Sequence, residues 1–247
     1  MKYSFCRAII YLLMLLMLAS CEKEMNSSSA STGVGGSLSR FTIVGNYLYA
    51  VDNHFLYSYD ISNGANPVKT NTSAINFDIE TIYPFNNRLF IGTRTGLYIY
   101  SLDTPSIPSK ISEASHARSC DPVVANDSIA FVTLKGSSSC GPAESGLYVH
   151  NIKNIFAPKL IKTLAMSNPE GLALNGNTLY ICCNNDGLRV VNVGDPANPV
   201  VTKTLTGAYF KDAIVYNDML ICFVGTGIML YDISNATNPV LVKSIAN

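Results

Sequence analysis

The chain has 247 residues, enough for one large domain or two small ones, and its 17 basic residues balance 17 acidic ones. That balance argues against a nucleic-acid partner, because holding phosphates needs a basic surplus. Trp is absent while Tyr numbers 14, which weakens a sugar-stacking or quinone-cofactor reading, and no cofactor is expected.

The chain opens on "MKYSFCRAIIYLLMLLMLASC": Lys2 and Arg7, an apolar run from Ala8 to Leu18, then small residues. This is the layout of a secretory signal peptide over residues 1–20, and the run is short for a membrane span. Leu18-Ala19-Ser20-Cys21 resembles the lipobox of bacterial lipoproteins. The resemblance implies cleavage before Cys21, a diacylglycerol on its thiol and acylation, for example with palmitate, of the new amine. Each buried methylene adds about 0.8 kcal/mol of membrane affinity, so two or three acyl chains anchor firmly. Residues 21–37 then read as the lipidated cysteine and a tether, because "EKEMNSSSASTGVGGS" has no apolar period.

From residue 38 to 247 one unit recurs. "LYSYDISNGANPVKT", "LYIYSLDTPSIPSKI", "LYVHNIKNIFAPKLI", "LRVVNVGDPANPVVT" and "IMLYDISNATNPVLV" align on Pro67, Pro108, Pro158, Pro199 and Pro239, spaced by 41, 50, 41 and 40 residues. The units run Leu38–Ile75, Asn76–Ser115, His116–Met166, Ser167–Gly207 and Ala208–Asn247. Each holds four short runs rich in β-branched and aromatic residues, separated by Gly, Asn, Asp or Pro turns. That pattern excludes a helical body and predicts a four-stranded antiparallel meander. A sheet with two apolar faces needs neighbours on both sides, so the expected fold is all-β, a five-bladed β-propeller closed into a ring. The repeated strand and its Asn-Pro-Val turn resemble those of LVIVD-repeat proteins, with the second and third units departing by loss of Asn before Pro. The resemblance implies a β-propeller and no particular activity.

In such a meander the a–b and c–d turns share one end. The near-identical Asn-Pro turns are c–d turns, a structural rim. The opposite end carries the variation. Counting back from the a–b turns places Glu80, Asp121, Glu170 and Asp212 near one channel mouth, with Arg40 at the corresponding place in the first unit. Two readings follow: a cation or polar-ligand site with Arg40 as counter-ion, or a structural ring whose acids accept backbone hydrogen bonds and lock neighbouring blades. Around it lie Phe77, Asp78, His116, Arg118, Asn168, Tyr209, Phe210 and Lys211. Tyr209 and Phe210 are expected on an exposed connection, either stacking a ligand or covering a blade edge.

The third unit is longer by an insertion in its b–c hairpin, "LKGSSSCGPAESG". It brings Cys140 to the same end as Cys120. A bridge between them would close a loop of about 20 residues and stabilise by roughly 3 kcal/mol; two free thiols are the alternative. Similar LVIVD-type lipoproteins carry a matching "SCDP…SC" stretch. Cys182, Cys183 and Cys222 fall in apolar second strands and read as small buried hydrophobes. His54, His116 and His150 lack metal-ligand spacing, and His150 reads as a turn residue. No hydrolase or zinc-protease motif is present. The expectation is a lipid-anchored binding platform of the bacterial envelope, placed at the outer membrane, with a protein or polymeric partner. The alternative is a polysaccharide-active enzyme using paired carboxylates of the ring.

Overall fold

A computed structural model describes residues 35–75, 78–115, 122–136 and 144–246. The signal peptide, Cys21, Asn76, Phe77, His116, Arg118, Cys120, Asp121 and Cys140 lie outside the described residues.

Twenty strands form five four-stranded sheets, each pairing its strands in sequence order. Blade 1 is β1 (Phe41–Val44), β2 (Tyr47–Val51), β3 (Phe55–Asp60) and β4 (Val68–Ala74). Blade 2 is β5 (Ile79–Phe85), β6 (Arg88–Thr93), β7 (Gly96–Ser101) and β8 (Ser109–Ser115). Blade 3 is β9 (Val123–Ala125), β10 (Ile129–Leu134), β11 (Gly146–Asn151) and β12 (Lys159–Ala165). Blade 4 is β13 (Leu172–Asn175), β14 (Thr178–Cys182), β15 (Leu188–Asn192) and β16 (Val200–Leu205). Blade 5 is β17 (Phe210–Tyr216), β18 (Met219–Val224), β19 (Gly227–Asp232) and β20 (Val240–Ala246). The five-bladed architecture of antiparallel meanders is the one the repeat predicts.

The repeated sequence writes repeated hydrogen bonds. At each c–d turn a strand-ending side chain takes a backbone N–H two residues on: Asp60 from Ser62, Ser101 from Asp103, Asn151 from Lys153, Asn192 from Gly194 and Asp232 from Ser234, at 2.8–3.0 Å. The next residue's N–H reaches back to the a–b turn, as Ile61 to Asn46 O and Ile233 to Asp218 O, both 2.8 Å. A bulge falls at the same place in every c–d pair, from Ser58/Tyr59 in blade 1 to Leu230/Tyr231 in blade 5. The bulge bends the outer strand and adds twist, which gives each blade the same pitch.

Cores lie between blades. Tyr49, Leu56, Ile82 and Leu89 fill the space between blades 1 and 2. Phe90, Ile99, Val123 and Val132 lie between blades 2 and 3, and Phe131, Leu147, Leu172 and Leu179 between 3 and 4. Tyr180, Val190, Phe210 and Leu220 seal blades 4 and 5. Each such side chain contributes about 1.5–3 kcal/mol by leaving water. Hydroxyls add ties across these seams: Tyr49 donates to Pro105 O at 2.8 Å and Tyr180 to Ala236 O at 2.7 Å.

Closure departs from expectation. Among the described residues no apolar core joins blade 5 to blade 1: Phe41 is 63% exposed, and Phe223 48%. Instead the turn at 35–39 spans the space between inner strands. Ser37 is buried; its hydroxyl donates to Asp212 Oδ1 of blade 5 at 3.1 Å and accepts the Leu172 N–H of blade 4 at 2.7 Å. Ser39 O accepts the Ile82 N–H of blade 2 at 2.9 Å. Residues 35–37, grouped with the tether by composition, therefore pack against the blades.

Candidate functional site

The first strands of blades 2 to 5 converge on an axial cavity of about 280 Å³, lined by Gly35, Tyr83, Val124, Leu172, Ala173 and Ala213 among others. Its lining is largely aliphatic because these strands place β-branched and small residues at the axis, where there is little room.

The strand registers sort the predicted ring residues into two positions. In blade 2 the pairing jumps from Ile79 to Thr81, and in blade 5 from Phe210 to Asp212. Glu80 and Lys211 are thus the extra residues of two bulges, and Glu170 precedes the first strand of blade 4 at the corresponding place. Asp212 instead matches Thr81, Gly171 and Arg40. Counted from the a–b turns, Asp212 lies four residues before Tyr216, whereas Glu80 and Glu170 lie five before Phe85 and Asn175, so Asp212 sits one step further in than the level the sequence reading gave it.

Each described member is held by near neighbours. Glu170 Oε1 pairs with Lys135 Nζ of blade 3 at 2.6 Å and accepts the Asn184 side-chain amide at 3.0 Å. Thr133 Oγ1 donates to Glu170 O at 2.6 Å, a second tie across the same seam. Arg94 bridges Asp78 at 3.1 Å and Glu80 at 3.5 Å within blade 2. Arg40 donates to Asn53 Oδ1 at 2.9 Å and to Ile79 O at 3.1 Å, and so ties blade 1 to blade 2. Asp212 is enclosed by Gly36 and Gly171, where an added Cβ would lie 2.2 and 2.1 Å from its oxygens. Burial pushes its carboxyl up to about 6 against the hydrogen bonds from Ala213, Ser37 and Leu38. Among the described residues no three His, Cys, Asp or Glu side chains gather as a cation site would require.

Two sequence expectations change. Phe210 is fully buried in the blade 4–5 core, because the bulge at Lys211 turns it inward. Tyr209 stays half-buried with the Lys211 ammonium 5.8 Å from its ring centre and 5.3 Å from that of Phe223. His150 is no turn residue: it sits inside β11 opposite Ala130 and is 3% exposed. The turn role belongs to its neighbour Asn151, which lies seven residues before Pro158 as Asp60 does before Pro67. Cys182, Cys183 and Cys222 are free and buried, as their apolar surroundings imply. Asn168, a left-handed residue with φ 48°, donates to Asp186 at 3.1 Å.

The LVIVD repeat family matches residues 35–72, 168–206 and 219–247. The chain carries LVIVD repeats. These matched segments are blade 1, blade 4 and most of blade 5, the blades whose turns keep Asn before Pro. No curated protein matches the sequence. Among solved structures, this LVIVD-repeat chain is similar to a protein from Lactobacillus plantarum with TM-score 0.64 and 12% identity, covering 81% of this chain and 68% of that one. It is similar to apo AztD from Citrobacter koseri with TM-score 0.60 and 14% identity, covering 87% and 60%. It is similar to BamB from Moraxella catarrhalis with TM-score 0.59 and 8% identity, covering 77% and 56%. At these identities the likeness is one of fold, and the chain spans 56–68% of the length of those relatives.

Proposed function

We propose that the protein is exported, lipidated on Cys21 and held at the outer membrane of the bacterial envelope, where the propeller is a rigid platform for a protein or polymeric partner. The observation that carries this reading is the asymmetry of the two rims. One rim repeats the same side-chain-to-backbone turn in all five blades. The other differs blade by blade, with Arg94 between two carboxylates, Lys211 between two aromatic rings, and the long hairpin of blade 3. Uniform turns supply a frame, and unlike side chains on a stiff frame supply recognition at little ordering cost. In this reading Arg40, Glu80, Asp121, Glu170 and Asp212 are structural ties of that rim, and Cys120 and Cys140 staple the blade 3 hairpin.

The test has two arms. Cys21→Ser is expected to abolish palmitate labelling and release the chain from the membrane fraction; a labelled or membrane-bound variant sinks the anchor. Lys211→Glu with Tyr209→Ala is expected to lose envelope partners captured by cross-linking, while Thr237→Ala on the uniform rim keeps them. Equal capture by both variants sinks the assignment of the contact rim.

A further inference from the structure

In each blade alternate side chains face the preceding and the following blade. At one position of the innermost strand Ile82, Val123, Leu172 and Ala213 are 0–2% exposed, each covered by the blade before it. Blade 1 carries Phe41 there, 63% exposed. At the second-strand position facing the following blade, Phe90, Phe131 and Tyr180 are 0–1% exposed. In blade 5 that face carries Ile221, flanked by Met219, Phe223 and Ile228 at 36%, 48% and 37% exposure. Among the described residues, blades 1 and 5 thus present two uncovered halves of an interface made four times between the other neighbouring blades. A contiguous apolar face of this kind is unusual on a monomer and marks an interaction surface.

A polar lock repeats the correspondence. Lys203 Nζ donates to Asn238 Oδ1 and ties blade 4 to blade 5. Strand register puts Lys243 of blade 5 at the place of Lys203, and turn alignment puts Asn66 of blade 1 at the place of Asn238. Both Lys243 and Asn66 are exposed. Blades 5 and 1 therefore hold counterparts of the two partners that lock the blade 4–5 seam.

We propose that blade 5 of one copy docks on blade 1 of a second copy, head to tail, with Phe223 and Ile228 covering Phe41 and with Lys243 reaching Asn66. A second copy supplies the missing half without disturbing the four packed seams that fix the blades within one chain. Because the two faces differ, the contact is heterologous and passes from copy to copy. Phe223 also flanks Lys211 on the rim read above as the partner surface, but the test here reads self-association of the isolated chain, so the two readings fail separately.

Sedimentation of the detergent-solubilised full chain is expected to give a mass above one chain that rises with concentration. Phe41→Glu and Phe223→Glu are each expected to return it to one chain with an unchanged circular-dichroism spectrum. A single-chain mass at every concentration overturns the proposal. Geometry is read by mixing differently tagged N66C and K243C copies with a short bismaleimide. A link between an N66C copy and a K243C copy is expected; links only between like copies, or a link within one N66C/K243C chain, overturn it. Should either Glu variant misfold, amide exchange of the unmodified chain decides: protection of β1 and β18 that grows with concentration supports the contact, and concentration-independent protection overturns it.

Discussion

The Ser37 hydroxyl donates to Asp212 Oδ1 across 3.1 Å, joining the turn before blade 1 to the first strand of blade 5 across 175 positions of sequence. The tie has a cost. Asp212 is enclosed, and burial outweighs its hydrogen bonds, raising its carboxyl from 3.8 to about 6. The folded chain therefore holds this proton more tightly than the unfolded chain. Its contribution to stability is fullest below about pH 4 and is lost as pH rises toward 6, by at most about 3 kcal/mol. Other carboxylates act in the opposite sense: Asp52, Asp60, Asp195 and Asp232 are lowered by local hydrogen bonds, and their contributions fade only below pH 4. Asp212→Asn keeps one acceptor, for Ser37 and Ala213, gives up the long 3.4 Å contact from the Leu38 N–H and removes the buried charge. Urea midpoints of this variant should be flatter between pH 4 and 6 than those of the parent, and equal or higher at neutral pH.

Lys135 and Glu170 join blades 3 and 4 through a half-buried ion pair. Such a pair is worth more than an exposed one, yet water still reaches it. Lys135→Met should cost about 1–2 kcal/mol and Glu170→Gln a similar amount, with a coupling near 1 kcal/mol in a double-mutant cycle followed by urea unfolding. Neither the parent nor the variants should change melting temperature on addition of calcium or EDTA if these residues act as ties rather than cation ligands.

Burial pushes the Cys183 thiol up to about 11 and that of Cys222 to about 12, and holds that of Cys182 well above the usual thiol range, with Asp212 opposing ionisation of both Cys182 and Cys222. A thiol is nucleophilic as thiolate. Iodoacetamide at pH 8 should leave these three cysteines unmodified in the native chain and label all of them in urea, as read by peptide mass spectrometry.

The repeat made the blades legible: four turn-separated runs per unit, Asn-Pro turns at a fixed period, and five copies. What it hid follows from local register and from the gap between alignment and contact. One extra residue at Lys211 turns Phe210 into the core, and Asp212 lies one residue nearer its a–b turn than Glu170 does. His150 stands beside the strand-ending position, and the hydrogen bond of the turn comes from Asn151, one residue on. Composition cannot reveal that Ser37 is enclosed, since its burial depends on Leu172 and Asp212, distant in sequence. The unsealed seam was hidden too: Phe41 and Phe223 lie in apolar strand runs like those of the other blades, and only the placement of both blades leaves them exposed.

Strand pairing in blade 5 depends on a residue with no side chain. Gly227 opens β19 with φ +135°, and an added Cβ would lie 2.0 Å from Ile245 O on the outermost strand. An alanine there must both leave a backbone region that L-residues avoid and push apart the β19–β20 pair. The outer strand would have to yield, since neither atom belongs to a flexible side chain. Gly227→Ala should therefore cost more than about 2 kcal/mol. Gly64, in the turn of blade 1, has open space around the same construction. Gly64→Ala should stay within about 0.5 kcal/mol of the parent. Thermal unfolding of the two variants side by side checks the contrast: equal losses would mean that the outer strand of blade 5 moves aside at little cost, and that the backbone geometry at Gly227 does not hold it.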